Sequence, residues 1–187
     1  MLRDQLRGHD LLVANLRVTD ERKDHEADLV VAVPGAGIAV VEVKGGSVWH
    51  DGEHWQQTRS NGSHRRIDPV GQARDAKYAV RRYVEQDPRW RESWRSRLRW
   101  AHVVVLPGSA ADGGFALPDC PRWLVADRHQ LDNLAACLTE ALARQETHHS
   151  PADAADVALL DDILRGRGLP PDLPHGVGDD PRGVPSQ

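Results

Sequence analysis

Two apolar runs separated by a short turn dominate the first quarter of the chain. Residues 29–33 and 38–41 are apolar throughout, and Pro34-Gly35-Ala36-Gly37 lies between them. Valine-rich runs of this length, bounded by proline and glycine, are typical of buried β-strands. The turn is short enough to return the second strand antiparallel to the first. The pattern therefore predicts a buried pair of strands, with Asp28 opening the first of them.

Weaker patterns on either side of this pair predict further elements. Alternating or continuous apolar positions predict strands at 11–18, 101–106 and 123–125, and a hairpin at 48–55 with Asp51-Gly52 at its turn. Helical spacing predicts helices at 69–84, 127–145 and 152–165, with shorter helical pieces at 1–7 and 90–97. Residues 20–27 are predicted to form a polar loop. Strands interleaved with helices favour an α/β fold in which helices flank a mixed central sheet.

The second strand of the buried pair ends in a charged sequence, Glu42-Val43-Lys44. Residues two apart on a strand share a face, so Glu42 and Lys44 point the same way. The offset implied by the turn places Asp28 beside Glu42. Two close carboxylates repel unless a cation lies between them, and hard divalent cations prefer carboxylate oxygens. The sequence therefore predicts a metal site at this edge of the sheet, with a lysine beside it.

These motifs resemble the PD-(D/E)XK nuclease superfamily, and within it the nuclease-related domain family. The resemblance is carried by Asp28, by the strand end from Val40 to Gly46, by a following tryptophan-containing hairpin, and by a helix that starts Asp68-Pro69-Val70-Gly71-Gln72. It covers roughly residues 10 to 130. A Glu-x-Lys tripeptide alone recurs by chance, and the ordered set is what makes the signal specific.

The resemblance implies a restriction-endonuclease-like core and phosphodiester hydrolysis with Mg²⁺ or Mn²⁺. Asp28, Glu42 and the backbone carbonyl of Val43 are then the expected metal ligands, and Lys44 and Gln72 the other catalytic residues. The family also has a helix before the strands that often supplies another glutamate. Only Asp4 and Gln5 are polar candidates there. We therefore expect either that the natural start lies upstream or that the site works without that residue.

Composition limits the number of domains and the type of protein. A chain of 187 residues is long enough for one good core. The expected organisation is a nuclease-like domain at 1–147, a linker and amphipathic helix at 148–168, and a disordered tail at 169–187. There is no apolar run of about 18 residues and no apolar signal core at the N-terminus, so we expect neither a membrane span nor export. Two cysteines are too few for a disulfide scaffold, which favours the cytoplasm.

Positive charge is concentrated in one part of the chain. Residues 59–99 carry twelve lysines and arginines and five acidic residues, a local charge of +7 in a chain whose formal net charge is −4. Such a block, interleaved with Trp90, Trp94 and Trp100, is a candidate surface for a phosphate backbone. The alternative is that the arginines cover a helix and the tryptophans pack inward. The expected nucleic-acid contacts are Arg65, Arg66, Arg74, Lys77 and Arg81.

Three functions remain open from the sequence. The first is a Mg²⁺-dependent DNA nuclease, in which Lys44 orients the attacking water and the basic block holds the backbone without reading bases. The second is a nucleic-acid-binding domain of the same fold without activity. The third is a protein-interaction domain that uses the last helix and the acidic tail. The expected partners are nucleic acid, most simply DNA, a helicase or other DNA-processing protein, and a second copy of the chain.

Overall fold

A computed structural model describes residues 2–19 and 24–166, in which six strands lie between the first two α-helices and two further strands precede the last two. The strands are β1 (Leu11–Thr19), β2 (Asp24–Val33), β3 (Gly37–Val43), β4 (Val48–His50), β5 (Trp55–Thr58), β6 (His64–Ile67), β7 (Trp100–Leu106) and β8 (Val125–Asp127). The α-helices are α1 (Leu2–Gln5), α2 (Pro69–Glu85), α3 (Pro88–Arg91), α4 (Leu134–Arg144) and α5 (Ala154–Arg165). Short 3₁₀ helices cover Trp94–Arg97, Arg122–Leu124 and Arg128–Asn133.

The central sheet has five strands in the order β1-β2-β3-β7-β8. β1, β2 and β3 are antiparallel neighbours, whereas β7 runs parallel to β3 and β8 runs parallel to β7. A parallel neighbour requires a crossover, and the segment between β3 and β7 supplies it through β4–β6 and α2. The sheet is therefore mixed and flanked by helices, as the sequence predicts for a restriction-endonuclease-like core.

The register between β2 and β3 is the one that the turn implies. Leu29 lies opposite Val41 and Val33 lies opposite Gly37. Gly37 has a φ of 145°, and a Cβ there would lie 2.6 Å from the carbonyl oxygen of Arg99. Only glycine fits this turn, because any side chain would collide with the neighbouring backbone. One step beyond Leu29 and Val41, the same register places Asp28 beside Glu42.

The two faces of the sheet pack against different helices. Even-numbered positions of β3, such as Val40, pack with Val80 of α2 and Leu160 of α5. Odd-numbered positions, such as Val41, pack with Leu138 of α4 and with α1. Because Glu42 shares the face of Val40, its side chain is directed to the side of α2. Helix α5 is part of the same core, since Ala152, Val157 and Ile163 also belong to the α2-side cluster.

A small second sheet, β4-β5-β6, forms part of the crossover between β3 and β7. The predicted hairpin at 48–55 is confirmed, with His50 opposite Trp55. Strand β6 is not predicted by the sequence, because His64-Arg65-Arg66 is polar at successive positions and shows no alternation. Trp55 anchors this sheet in a third apolar cluster with Val104 and Leu124.

Several predicted boundaries are wrong. The loop predicted at 20–27 is strand from Asp24 onward, so Asp28 lies within β2 rather than at its start; residues 20–23 lie outside the described part. The strand predicted at 123–125 is displaced to Val125–Asp127 by a 3₁₀ turn. The helical piece at 90–97 divides into α3 and a 3₁₀ helix. The helix predicted from Asp127 begins as a 3₁₀ helix and becomes α-helical only at Leu134.

The helix predicted at 69–84 is confirmed almost to the residue. Asp68 is its N-cap and accepts a hydrogen bond from the backbone N–H of Gly71 at 2.8 Å, and Pro69 occupies the first turn. The last helix is confirmed as α5, which starts at Ala154. Within the described ranges, no helix combines the length and the apolar character needed to cross a membrane. The predicted tail at 169–187 lies outside the described residues.

Candidate functional site

A polar cleft with a volume of about 390 Å³ opens between the end of β3, the first half of β2 and the start of α2. We call it the acidic cleft. Its polar lining includes Asp24, Glu26, Asp28, Glu42, Lys44, Gln72 and Asp75. The cleft lies where the apolar part of β3 ends. A concave site at the end of a buried strand, lined by carboxylates and one lysine, is suited to binding a cation or a charged substrate.

Asp28 and Glu42 lie on neighbouring strands and are held differently. The Oδ2 atom of Asp28 accepts a hydrogen bond of 2.7 Å from the backbone N–H of Val43. This bond continues the β2–β3 pairing through a side chain and fixes the end of β3. Glu42 is only 7% exposed. Burial raises the pKa of Glu42, and the negative charges of Asp28 and Glu26 raise it further, whereas Lys44 opposes the shift.

Lys44 is the cation of the site. Its Nζ atom lies 2.5 Å from Oε1 of Glu42, and its backbone N–H donates to the carbonyl oxygen of Val105 at 2.9 Å. Lys44 is therefore held both through its backbone and through its ammonium group, while its side chain stays partly exposed in the cleft. The structure thus brings Asp28, Glu42 and Lys44 together, as the sequence predicts.

Gln72 also reaches the cleft. It lies one turn into α2, is exposed, and lines the acidic cleft together with Lys44. The N-cap at Asp68 sets where α2 begins and so sets which side of the first turn faces the carboxylates. Tyr78, six residues further along, is 45% exposed and does not line the cleft.

Sequence reasoning missed three carboxylates of the cleft, namely Asp24, Glu26 and Asp75. Asp24, Glu26 and Asp28 occur at every second position of β2, and Asp75 lines the same cleft from α2. The period-two spacing of Asp24, Glu26 and Asp28 was the available signal, and it was hidden by the prediction of a loop at 20–27. Within residues 2–19 and 24–166, no three His, Cys, Asp or Glu side chains converge closely enough to hold a metal ion.

One comparison with known proteins found a match. A family model described as the nuclease-related domain matches residues 1–107, which is more than half of the chain and includes every residue of the cleft. The chain belongs to the nuclease-related domain family. No curated protein matches it, and no solved structure does either.

In this nuclease-related domain, the basic residues expected to contact nucleic acid lie in three different environments. Arg65 and Arg66 on β6 line a second cleft of about 420 Å³, which we call the basic cleft, and its walls include Lys44, Ile67, Asp68 and Gln72. The two clefts therefore share Lys44 and Gln72. Arg74 is exposed on α2 but lines neither cleft.

Lys77 and Arg81 form ion pairs within the protein and line neither cleft. Lys77 is 4% exposed, and its Nζ atom lies 3.4 Å from Oε1 of Glu146. Arg81 pairs with Glu85 at 2.9 Å and with Glu146 at 3.3 Å. Glu146 also accepts a hydrogen bond from the backbone N–H of Trp100. These contacts hold α2 against β7, so the expected nucleic-acid contacts of Lys77 and Arg81 do not fit this arrangement.

The charges of this network act on a neighbouring histidine of the nuclease-related domain. Burial lowers the pKa of His102 to about 4, and the positive charges of Lys77 and Arg74 act in the same direction. His102 is therefore protonated at a lower pH in the folded state than in the unfolded chain, where its pKa is near 6.5. The contribution of His102 to the free energy of unfolding is therefore fully present above pH 6.5 and is lost as the pH falls towards 4.

We expect the free energy of unfolding to fall by up to about 1.4 kcal/mol per pH unit across this window, and His102→Gln to remove that part of the dependence. Urea unfolding at a series of pH values, in wild type and variant, measures it. The backbone hydrogen bonds of His102 with Gln145 remain in the variant. Identical pH profiles for the two proteins would contradict the assignment.

Among the described residues, helix α1 contributes no side chain to the lining of the acidic cleft. Gln5 of α1 donates to the carbonyl oxygen of Leu131 at 2.7 Å and accepts from the backbone N–H of Ala135 at 3.0 Å. Leu2 packs with the α4-side cluster, on the face of the sheet opposite to Glu42. Within the described residues, α1 is thus a support for α4 and makes no contribution to the acidic cleft.

Proposed function

We propose that this nuclease-related domain hydrolyses phosphodiester bonds of DNA with the help of Mg²⁺ or Mn²⁺. The observation that carries the proposal is the convergence of Asp28, Glu42 and Lys44 in one cleft, produced by the β2–β3 register. The basic cleft beside it supports a phosphate-containing substrate. Contacts to the backbone alone would carry no base specificity.

The donor set fits a hard divalent cation. Asp28 and Glu42 offer carboxylate oxygens, and the backbone carbonyl of Val43 is a further candidate ligand. Mg²⁺ is commonly bound by one or two carboxylates with several waters retained, so a site with two carboxylates is sufficient. Neighbouring negative charges contribute to the raised pKa of Glu42, and a cation would relieve that repulsion.

The chain's own residues have distinct roles in the proposed reaction. The metal, when bound, polarises the scissile phosphate and neutralises charge that develops on it. Asp28 and Glu42 hold it, and Asp28 also keeps Val43 in place through its backbone hydrogen bond. Lys44 orients the attacking water and offsets negative charge on the phosphate. Gln72 lies at the junction of the two clefts, where its amide can hydrogen-bond the same phosphate.

A second candidate is a DNA-binding domain without hydrolytic activity. It is favoured by the absence, among the described residues, of a third metal-binding side chain that converges on the site, and by the position of α1 on the other face of the sheet. An intact set of Asp28, Glu42 and Lys44 argues against it, because carboxylates close to a phosphate weaken binding unless a cation lies between them.

Cleavage assays distinguish these two functions. We expect the purified protein to cleave DNA with Mg²⁺ or Mn²⁺, to lose activity in EDTA, and to regain it when Mg²⁺ is added in excess. Supercoiled plasmid, linear duplex, single-stranded DNA and RNA together identify the substrate class. A folded protein that binds DNA and cleaves none of these substrates with either metal would overturn the proposed hydrolysis and support the binding domain.

A further inference from the structure

The basic cleft contains an arginine whose orientation is fixed by a neutral residue. We infer that this cleft is a second phosphate-binding subsite, in which Gln57 positions Arg65 to hold the phosphate next to the one that is cleaved. The inference rests on the proposed function, since it concerns the same substrate. It makes the preferred substrate a strand with at least two adjacent phosphodiesters.

The position of the basic cleft supports the assignment to a neighbouring phosphate. Lys44 and Gln72 form a wall of both clefts, so a group in the basic cleft lies directly beside a group held in the acidic cleft. Consecutive phosphates of one strand are neighbours of this kind. Asp68 is the one carboxylate among the described residues that line the basic cleft, and as the N-cap of α2 it accepts a hydrogen bond from the backbone N–H of Gly71.

Gln57 holds both the arginine and the catalytic strand. Its Oε1 atom accepts two hydrogen bonds from Arg65, at 2.9 Å from Nε and 2.6 Å from Nη2. Its Nε2 atom donates to the carbonyl oxygen of Gly45 at 2.8 Å, and Gly45 directly follows Lys44. Gln57 and Arg65 are also paired directly across β5 and β6. The guanidinium is therefore in a fixed place relative to Lys44.

The partner of Arg65 is the neutral amide of Gln57, and it leaves the positive charge of the guanidinium unchanged. A carboxylate at residue 57 could also accept hydrogen bonds from Arg65, but it would neutralise the guanidinium and could not donate to the carbonyl oxygen of Gly45. Among the described residues, the Arg65 side chain donates its hydrogen bonds to this amide alone, so its positive charge is not neutralised. Arginine is well suited to phosphate because its planar group can donate two parallel hydrogen bonds. An exposed, oriented and uncompensated arginine beside a nuclease cleft is the expected form of a phosphate subsite.

A pair of modified DNA oligomers tests the subsite. In one oligomer a single phosphodiester lies among neutral methylphosphonates, and in the other two adjacent phosphodiesters do. We expect wild type to cleave the second with a kcat/KM about tenfold to hundredfold higher per phosphodiester, the range of one charge-assisted hydrogen-bonded contact. Arg65→Ala should lose this preference and cleave the two oligomers equally well.

Variants of Gln57 separate orientation from charge. Gln57→Ala should weaken the preference for adjacent phosphates, because Arg65 is no longer held in one orientation. The slope of the logarithm of the DNA-binding constant against the logarithm of salt concentration should stay unchanged, because Arg65 keeps its charge. Gln57→Glu should reduce that slope by about one, because it neutralises one phosphate contact. Gln56→Ala is the matched control: it removes a neighbouring glutamine whose amide donates to Asp51 at 2.7 Å, outside both clefts.

Binding in EDTA makes the subsite testable without cleavage. Wild type should bind the oligomer with two adjacent phosphates more tightly, and Arg65→Ala should bind both equally. Failure to cleave any DNA would overturn the proposed hydrolysis and leave this binding result as the test of the subsite. Equal cleavage and equal binding of the two oligomers by wild type would overturn the subsite and leave hydrolysis standing. A preference that persists in Arg65→Ala would also overturn it.

Discussion

Replacement of Glu42 by glutamine should lower the rate of metal-dependent DNA cleavage by roughly 10²- to 10³-fold. This is the scale seen when a group that acts on transition-state charge is removed. Glutamine has nearly the same shape but no charge, so a cation in the proposed site would lose one of its two carboxylate ligands. Measuring cleavage rates and calorimetric Mg²⁺ binding on the same preparations should show both effects.

The fold should survive this change. Glu42 is buried and its pKa is raised by that burial, so a neutral side chain removes a desolvation cost from the folded state. Lys44 loses its carboxylate partner but is partly exposed and can turn towards water. Thermal unfolding and circular dichroism should therefore resemble those of wild type.

Glu140→Gln is the matched control for Glu42→Gln. Glu140 lies on α4, is exposed, and pairs with Arg144 at 2.9 Å on the side of the sheet opposite to Glu42. The same chemical change there should leave cleavage within about twofold, because a surface ion pair contributes little. Cleavage by Glu42→Gln at the wild-type rate would show that this carboxylate is not a metal ligand for the reaction.

Trp100→Ala should lower the free energy of unfolding by about 3–5 kcal/mol. Trp100 starts β7, is 1% exposed, and packs between the central sheet and α2 with Val40 and Val80. Its replacement leaves a large cavity at the junction where Glu146 also accepts a hydrogen bond from the Trp100 backbone. Urea unfolding followed by circular dichroism measures the difference.

Trp94→Ala provides the control for Trp100→Ala. Trp94 is 49% exposed, and its ring lies 5.7 Å from the guanidinium carbon of Arg95. We expect its loss to cost clearly less than the loss of Trp100, because about half of its surface stays in water and it belongs to none of the three apolar clusters of the described residues. Equal destabilisation by the two substitutions would mean that Trp100 is not packed as described. Partial unfolding of the Trp100 variant should also lower cleavage, which the unfolding curve can account for.

The three tryptophans of the basic block illustrate what sequence reasoning left open. The alternative in which the tryptophans pack inward holds for Trp90 and Trp100, which are buried. It does not hold for Trp94, which is 49% exposed. Arg65 and Arg66 line a cleft, but Lys77 and Arg81 pair with Glu146, about 65 to 70 residues away in sequence. A local charge of +7 does not reveal such pairing, because the neutralising carboxylate comes from another part of the chain.

The sequence by itself determined the central hairpin, its register and the grouping of Asp28, Glu42 and Lys44. These depend on neighbours along the chain: a period of two on each strand, and a turn with a glycine that no other residue can replace. The capped start of α2 was likewise local, since Asp68 and Pro69 act within one turn. The family resemblance followed from the same local motifs.

The tertiary structure alone decided which side of the sheet each helix covers, and with it the lining of the site. It placed α1 against α4, brought Asp75 opposite Asp24 and Glu26, and joined Gln57 to both Arg65 and Gly45. It also turned residues 24–27 into strand, because pairing with β1 overrides their polar character. Contacts of this kind are set by packing between distant segments, and no local pattern of residues encodes them.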